Sequence, residues 1–480
     1  MSAASYHSRR DFLQRAGVGI GSVALTSLLA SEAQAERIVL DPINPLKPRQ
    51  PHFAATADRV IFLFQYGSPS HVDTFDYKPD LEKYEGKPLP DTLLKDPRFK
   101  DISRILHNKL MKSPWKFRQR GQSGLWVSDL LPAIAECADD LCVVRSMHAD
   151  SNNHTPAGLC VNTGVIVEGK PSVGAWITYG LGSLNQNLPG FIVLYDVGPF
   201  GGPPNWGNAF LPAAFQATRF RDEGEPVPNL TPPKERAGAQ RATLDLVQAL
   251  NKRHQAARPG LLELEGRIAS YELAYRMQAE ALDIGDLSSE TEVTRRMYGL
   301  DRKESAKYGR MCLLARRLVE KGVRVVQIYN GTNDPVKYGW DAHDDIKRNH
   351  ELNAKQTDVP IAGLLKDLKQ RGLLERTLVI WSGEFGRTPT IDGKSGRNHN
   401  NMGFSIWLAG GGVKGGQAVG ATDTFGLHAE QNPYSVHDLH ATILNALGFV
   451  PEQLYYEING RQERLTGVAG SAKVIPGVLG

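Results

Sequence analysis

Arg59-Val60-Ile61-Phe62-Leu63-Phe64-Gln65 runs straight into Tyr66-Gly67-Ser68-Pro69. An unbroken apolar run closed by glycine and proline predicts a strand buried on both faces that leaves into a loop. Strands of that kind belong to a parallel sheet covered by helices on both sides. Similar runs recur at Leu141–Arg145, Phe191–Tyr195, Val323–Tyr329, Thr377–Trp381 and Phe404–Leu408. Helical spacing lies between several of them, at Leu130–Ala138 and more clearly at Val359–Arg371, with Gly372 as a stop. This alternation predicts an α/β fold, a mostly parallel sheet with helices on both faces.

Residues 241–320 break the alternation: they are charged, helically spaced and free of strand signals. The expected organisation is a signal at 1–35, a Pro-rich linker at 36–57 and one α/β domain at 58–475. A helical insertion at 236–320 lies within that domain. The Gly- and Pro-rich stretch 197–235 reads as surface loop. With 41% hydrophobic and 22% charged residues, the 480-residue chain has ordinary globular composition. Its net charge of +4, from 56 basic and 52 acidic residues, argues against a nucleic-acid partner.

The N-terminus carries Arg9-Arg10-Asp11-Phe12-Leu13, an apolar stretch Ala16–Ala30 and Ala33-Gln34-Ala35. A charged start, a short apolar run and a small-x-small site predict a cleaved export signal. The twin arginine resembles that of Tat substrates, which makes the Tat machinery a partner and the periplasm or extracellular space the destination. The apolar run is shorter than the roughly 20 residues a spanning helix needs, so no stable membrane span is expected after cleavage. Four cysteines, Cys137, Cys142, Cys160 and Cys312, could pair in that compartment, with no connectivity fixed.

Polar clusters fall at predicted strand ends, where open α/β sheets bind ligands. The first, 68–76, holds His71, Asp73 and Asp76. The second, 146–158, holds His148, Asp150, His154 and Thr155. The third, 340–345, places Asp341 and His343 two apart, on one face of extended backbone. The fourth, 382–389, holds Glu384 and Arg387. His399 lies in 396–401, and His437, Asp438 and His440 open a helix near the C-terminus. Each acid alone serves equally well as a turn or helix cap. Together they supply the donors of a divalent-metal hydrolase. Arg387 suits an anionic ester oxygen, or else pairs with a carboxylate. Gly410-x-Gly412-x-x-Gly415 matches a dinucleotide fingerprint, but no helix follows, so a nucleotide cofactor is not expected.

The runs GSPSHVDTFDYKP (67–79), SMHADSNNHTPAGLCVNTG (146–164), GEFGRTP (383–389) and GRNHNNMG (396–403) resemble the DUF1501 family, related to sulfatases and the alkaline phosphatase superfamily. The resemblance implies an alkaline-phosphatase-like fold and an exported metal-dependent hydrolase of sulfate or phosphate esters. An anionic ester, on a polysaccharide, would be the substrate. It implies one or two divalent ions (Zn, Ca, Mg or Mn) on Asp73, Asp341, His343, Glu384 and His399. Thr155 or a metal-bound water would attack, His154 assist and Arg387 steady the anion. Phe385 stands where that superfamily has a ligand histidine, which keeps open a non-catalytic alternative, a sulfatase-like binding or assembly protein recognising anionic glycans.

Overall fold

The computed structural model describes residues 38–41, 44–97, 107–233, 235, 238–257, 262–330, 339–468 and 470–480. The export signal lies outside them. Ten strands carry the argument: β1 (Arg59–Gln65), β2 (Leu141–His148), β3 (Phe191–Tyr195), β4 (Thr218–Phe220), β5 (Val325–Asn330), β6 (Thr377–Ser382), β7 (Gly386–Asp392), β8 (Gly396–Asn400), β9 (Phe404–Ala409) and β10 (Gln417–Val419). The main sheet runs β10-β2-β9-β6-β1-β5-β3-β4, and Tyr434–Ser435 also pairs with β2. All of its pairings are parallel except the two made by β9, which runs against both β2 and β6. β7 and β8 form a separate antiparallel hairpin beyond the end of β6. The chain has the mostly parallel α/β fold that its apolar runs predict.

Alternation along β1 sorts its side chains onto two faces. Ile61 and Leu63 enter one apolar cluster, with Leu313 and Leu314 of helix Ala306–Glu320 and Leu364 and Leu365 of helix Ile346–Gln370. Val60, Phe62 and Phe64 enter the other, with Trp176 of helix Val173–Leu181 and Ile443 of helix Val436–Ala446. Each such side chain contributes roughly 1.5–3 kcal/mol by leaving water. Residues 240–320 carry helices Gln240–Ala256, Leu262–Gly285, Glu292–Met297 and Ala306–Glu320.

Four local readings change. Helix Ile346–Gln370 begins a dozen or so residues before the apolar spacing does, because Asp345 caps it by accepting the Arg348 N–H at 3.0 Å. Residues 218–220, expected as loop, form the edge strand β4. Residues 386–400, to which the sequence reading assigns no element, form a polar hairpin. The four cysteines are buried free thiols. The glycine run at 410–416 leads into β10, and Asp438 completes a capping box with Ser435.

Two interior histidines set an acid limit on the fold. His350 is fully buried; its Nε2 accepts the Ser70 N–H at 3.0 Å, and burial lowers its pKa to about 3. His440 is fully buried with Nε2–H on the Val161 carbonyl at 2.8 Å, and burial lowers it to about 4. As pH falls below 6.5 the unfolded chain takes up protons that the folded chain refuses. Their contribution is therefore complete above pH 6.5 and declines towards pH 3–4. Urea midpoints between pH 7 and 4 are expected to fall steeply, and less steeply in His440→Gln. Equal slopes would contradict this.

Candidate metal centre

The parallel strands β1, β5 and β6 end on the same side of the sheet, and the loops beyond them meet. From β6 comes Glu384; from the segment after β5, Asp341 and His343; from β8, His399. His154 opens helix His154–Thr163, which follows β2.

Three imidazoles surround one carboxylate oxygen. Asp341 Oδ1 lies 3.4 Å from His154 Nε2, 3.1 Å from His343 Nε2 and 3.3 Å from His399 Nε2. The His343 and His399 Nε2 atoms are 3.0 Å apart. The donors of His154, Asp341 and His399 all lie within 4.8 Å of one another. Ligands about 2.0–2.1 Å from a tetrahedral zinc are separated by roughly 3.3 Å, close to the distance of each imidazole Nε2 from Asp341 Oδ1.

The far side of each ring explains its orientation. His154 Nδ1–H donates to Glu384 Oε1 at 2.5 Å, His343 Nδ1–H to Asp392 Oδ2 at 2.6 Å, and His399 Nδ1–H to the Asn152 carbonyl at 2.7 Å. Each partner is an oxygen that only accepts, so in the neutral rings the proton sits on Nδ1 and a bare Nε2 faces Asp341. Metal-bound histidines are held in this way. Without a cation, neutral rings would turn lone pairs on a carboxylate, a clash that proton uptake by the rings relieves, and the buried His154 Nε2 makes no well-formed hydrogen bond.

The charges respond accordingly. Burial works against the Asp341 carboxylate, but the three imidazoles and Arg387 outweigh it and hold the group far below the usual carboxylate range. Burial would lower His154, yet Asp341 and Glu384 lift it to about 9. The bond to Asp341 raises His343, while burial lowers His399. Phe385, buried, packs 4.9 Å from the His154 ring and 4.7 Å from the His399 ring, and Phe200 stacks on His154 at 5.1 Å.

Of the expected residues, the structure brings together Asp341, His343, His399, His154, Glu384 and Arg387. Glu384 stands behind His154 and also accepts the Gly67 N–H at 3.0 Å. Arg387 is fully buried, with Nη2 on Asp341 Oδ1 at 2.7 Å and Nε on the Ser68 carbonyl at 3.1 Å. Its guanidinium is committed to this carboxylate and to backbone, and does not reach out to an anion. Asp73 lies elsewhere, fully buried in a two-pronged pair with Arg397 at 2.7 and 3.3 Å. Thr155, half-buried, follows His154 with its methyl towards Gly201. His71, His437 and His440 each bond a backbone carbonyl, of Gly426, Gly164 and Val161. Asp392, Asn152 and Phe200 were not legible as site residues, since a group behind an imidazole leaves no local pattern.

Glu384→Gln keeps an acceptor for His154 and removes its charge. Metal affinity is expected to fall roughly 10–100-fold with the fold intact; calorimetric titration checks this, and unchanged affinity would remove Glu384 from the centre.

A family model described as "Protein of unknown function (DUF1501)" matches residues 57–479. No curated protein matches the chain. Among solved structures, the chain is similar to the PsFucS1 sulfatase from Pseudoalteromonas sp., at 12% identity over 90% of this chain and 72% of that one, with a TM-score of 0.34. A protein of the alkaline phosphatase superfamily from Vibrio parahaemolyticus shows 11% identity over 87% and 73%, TM-score 0.35. A phosphonate monoester hydrolase from Silicibacter pomeroyi shows 12% over 66% and 68%, TM-score 0.34. Among the described residues no helix is long and apolar enough to cross a membrane.

Proposed function

This chain belongs to the DUF1501 family, and from that membership and the centre's geometry we propose that it is a metal-dependent hydrolase of sulfate or phosphate esters. The observation that carries the reading is the convergence of three imidazole Nε2 atoms on Asp341 Oδ1. Nitrogen and carboxylate donors at this spacing suit zinc or a similar divalent ion.

His154, Asp341 and His399 would hold the ion, with His343 beside them. When bound, a divalent cation polarises an ester oxygen and eases deprotonation of the attacking group. Glu384, Asp392 and the Asn152 carbonyl keep the imidazole nitrogens aimed inward. Phe385 and Phe200 wall the centre and limit water. The positive end of helix His154–Thr163 lies at the centre and favours an anionic substrate. That role fits the helix better than Arg387, whose charge is spent on Asp341. Thr155 is the proposed attacking hydroxyl, and a sulfated or phosphorylated polysaccharide the proposed substrate class. The twin-arginine segment supports export by Tat to the periplasm or beyond.

The test is metal analysis of the purified protein by mass spectrometry, with assays on aryl sulfates and aryl phosphates before and after chelation. Bound metal with chelator-sensitive turnover is expected. Metal-free, inactive protein would overturn the reading. Phe385, in the place of a ligand histidine, favours one rival, a binding protein for anionic glycans, for which glycan binding would survive chelation.

A further inference from the structure

The turn that follows β1, Tyr66–Ser68, touches both segments that carry the centre. The Tyr66 carbonyl accepts the Trp340 N–H at 2.9 Å, which pins the residue before Asp341. The Gly67 N–H donates to Glu384 Oε1 at 3.0 Å, and the Gly67 carbonyl accepts from Arg387 Nη2. The Ser68 carbonyl accepts from Arg387 Nε at 3.1 Å, and Ser68 Oγ accepts the Phe385 N–H at 3.1 Å.

Two glycines make these approaches possible. A Cβ on Gly339 would stand 2.2 Å from the Tyr66 carbonyl oxygen, and one on Gly383 would stand 2.9 Å from the Ser68 Cα. Both lie far inside van der Waals contact, so any side chain there would push its segment off the turn.

Ser68 itself is fully buried and left-handed, with φ +66°. Glycine takes up that backbone without strain, whereas serine does not. What serine adds is the hydroxyl that holds the Phe385 amide, next in the chain to Glu384 and bearing the ring against His154 and His399.

We propose that Ser68 is a positioning residue of the metal centre, with the Tyr66–Ser68 turn as the template on which the Asp341 and Glu384–Arg387 segments are aligned. This rests on the reading of His154, Asp341 and His399 as ligands. Ser68 acts through its neighbours: the hydroxyl fixes the Phe385 amide, the adjoining carboxylate of Glu384 is fixed by Gly67, and Glu384 in turn orients the His154 imidazole.

The experiment compares the wild type with Ser68→Gly and Ser68→Ala. Three readouts are taken: Co²⁺ titration followed by visible absorption, the urea midpoint of the metal-free protein, and the imidazole ¹⁵N and Nδ1–H shifts of His154 without metal. In Ser68→Gly, Co²⁺ affinity is expected to fall roughly tenfold, within the range of changes behind a ligand. Its urea midpoint should stay close to that of the wild type, because relief of the left-handed strain offsets the lost bond to the Phe385 amide. A residue that merely supported the fold would lower both together. Unchanged affinity in both variants, or an affinity loss that only tracks a lower midpoint, would overturn the inference. If the wild type takes up no Co²⁺, the functional reading fails by itself. The His154 shifts still decide the inference then: displaced in Ser68→Gly they support it, unmoved they overturn it.

Discussion

Asp341→Asn is expected to empty the metal centre and weaken the fold at once. Asp341 Oδ1 is the one atom on which all three Nε2 groups converge, so its negative charge is what a cation shares with the imidazoles. Loss of that charge should cost more than the roughly 10–100-fold in affinity seen for groups behind a ligand. The same oxygen balances Arg387, whose side chain is fully buried. An amide leaves that guanidinium uncompensated, a cost of about 3 kcal/mol or more. Metal analysis should find the variant empty even after exposure to excess Zn²⁺, and its urea midpoint should drop. A variant that keeps a full equivalent of metal would displace Asp341 from the centre.

Asp73→Asn is expected to share the loss of stability but not the loss of metal. Asp73 and Arg397 are both fully buried and bonded at 2.7 and 3.3 Å, and Arg397 Nη2 also holds the Met111 carbonyl at 3.0 Å. Burial disfavours the Asp73 carboxylate, but Arg397 outweighs it and lowers its pKa. Breaking such a pair costs about 3–5 kcal/mol, because one charge stays behind without a partner. The urea midpoint should fall accordingly while the folded fraction keeps its metal. Loss of metal at unchanged stability would instead make Asp73 a ligand.

These two aspartates show where sequence reading succeeds and where it stops. Both follow strands and both sit beside histidines, so local pattern cannot separate them. What separates them is the partner: Arg397, 324 positions from Asp73 in the chain, against imidazoles from three different segments. The sheet was legible because its strands are continuous apolar runs. β4 was too short to leave a signal, and the β7–β8 hairpin too polar. The first half of helix Ile346–Gln370 shows little apolar spacing, although its cap, Asp345, is visible once known. Asp392 and Ser68 escaped notice for one reason: each works through a bond to another residue.

The reversed strand β9 has a consequence for how this fold can vary. Because β9 turns back beside β6, residues 377–409 leave the sheet and return to it with no crossover helix. Glu384, Phe385, Arg387, Asp392 and His399 therefore travel together as a single contiguous cassette. Changes within it can retune the chemistry of the pocket while the distant crossovers stay as they are, so relatives built on this plan can diversify by rewriting one short stretch of chain.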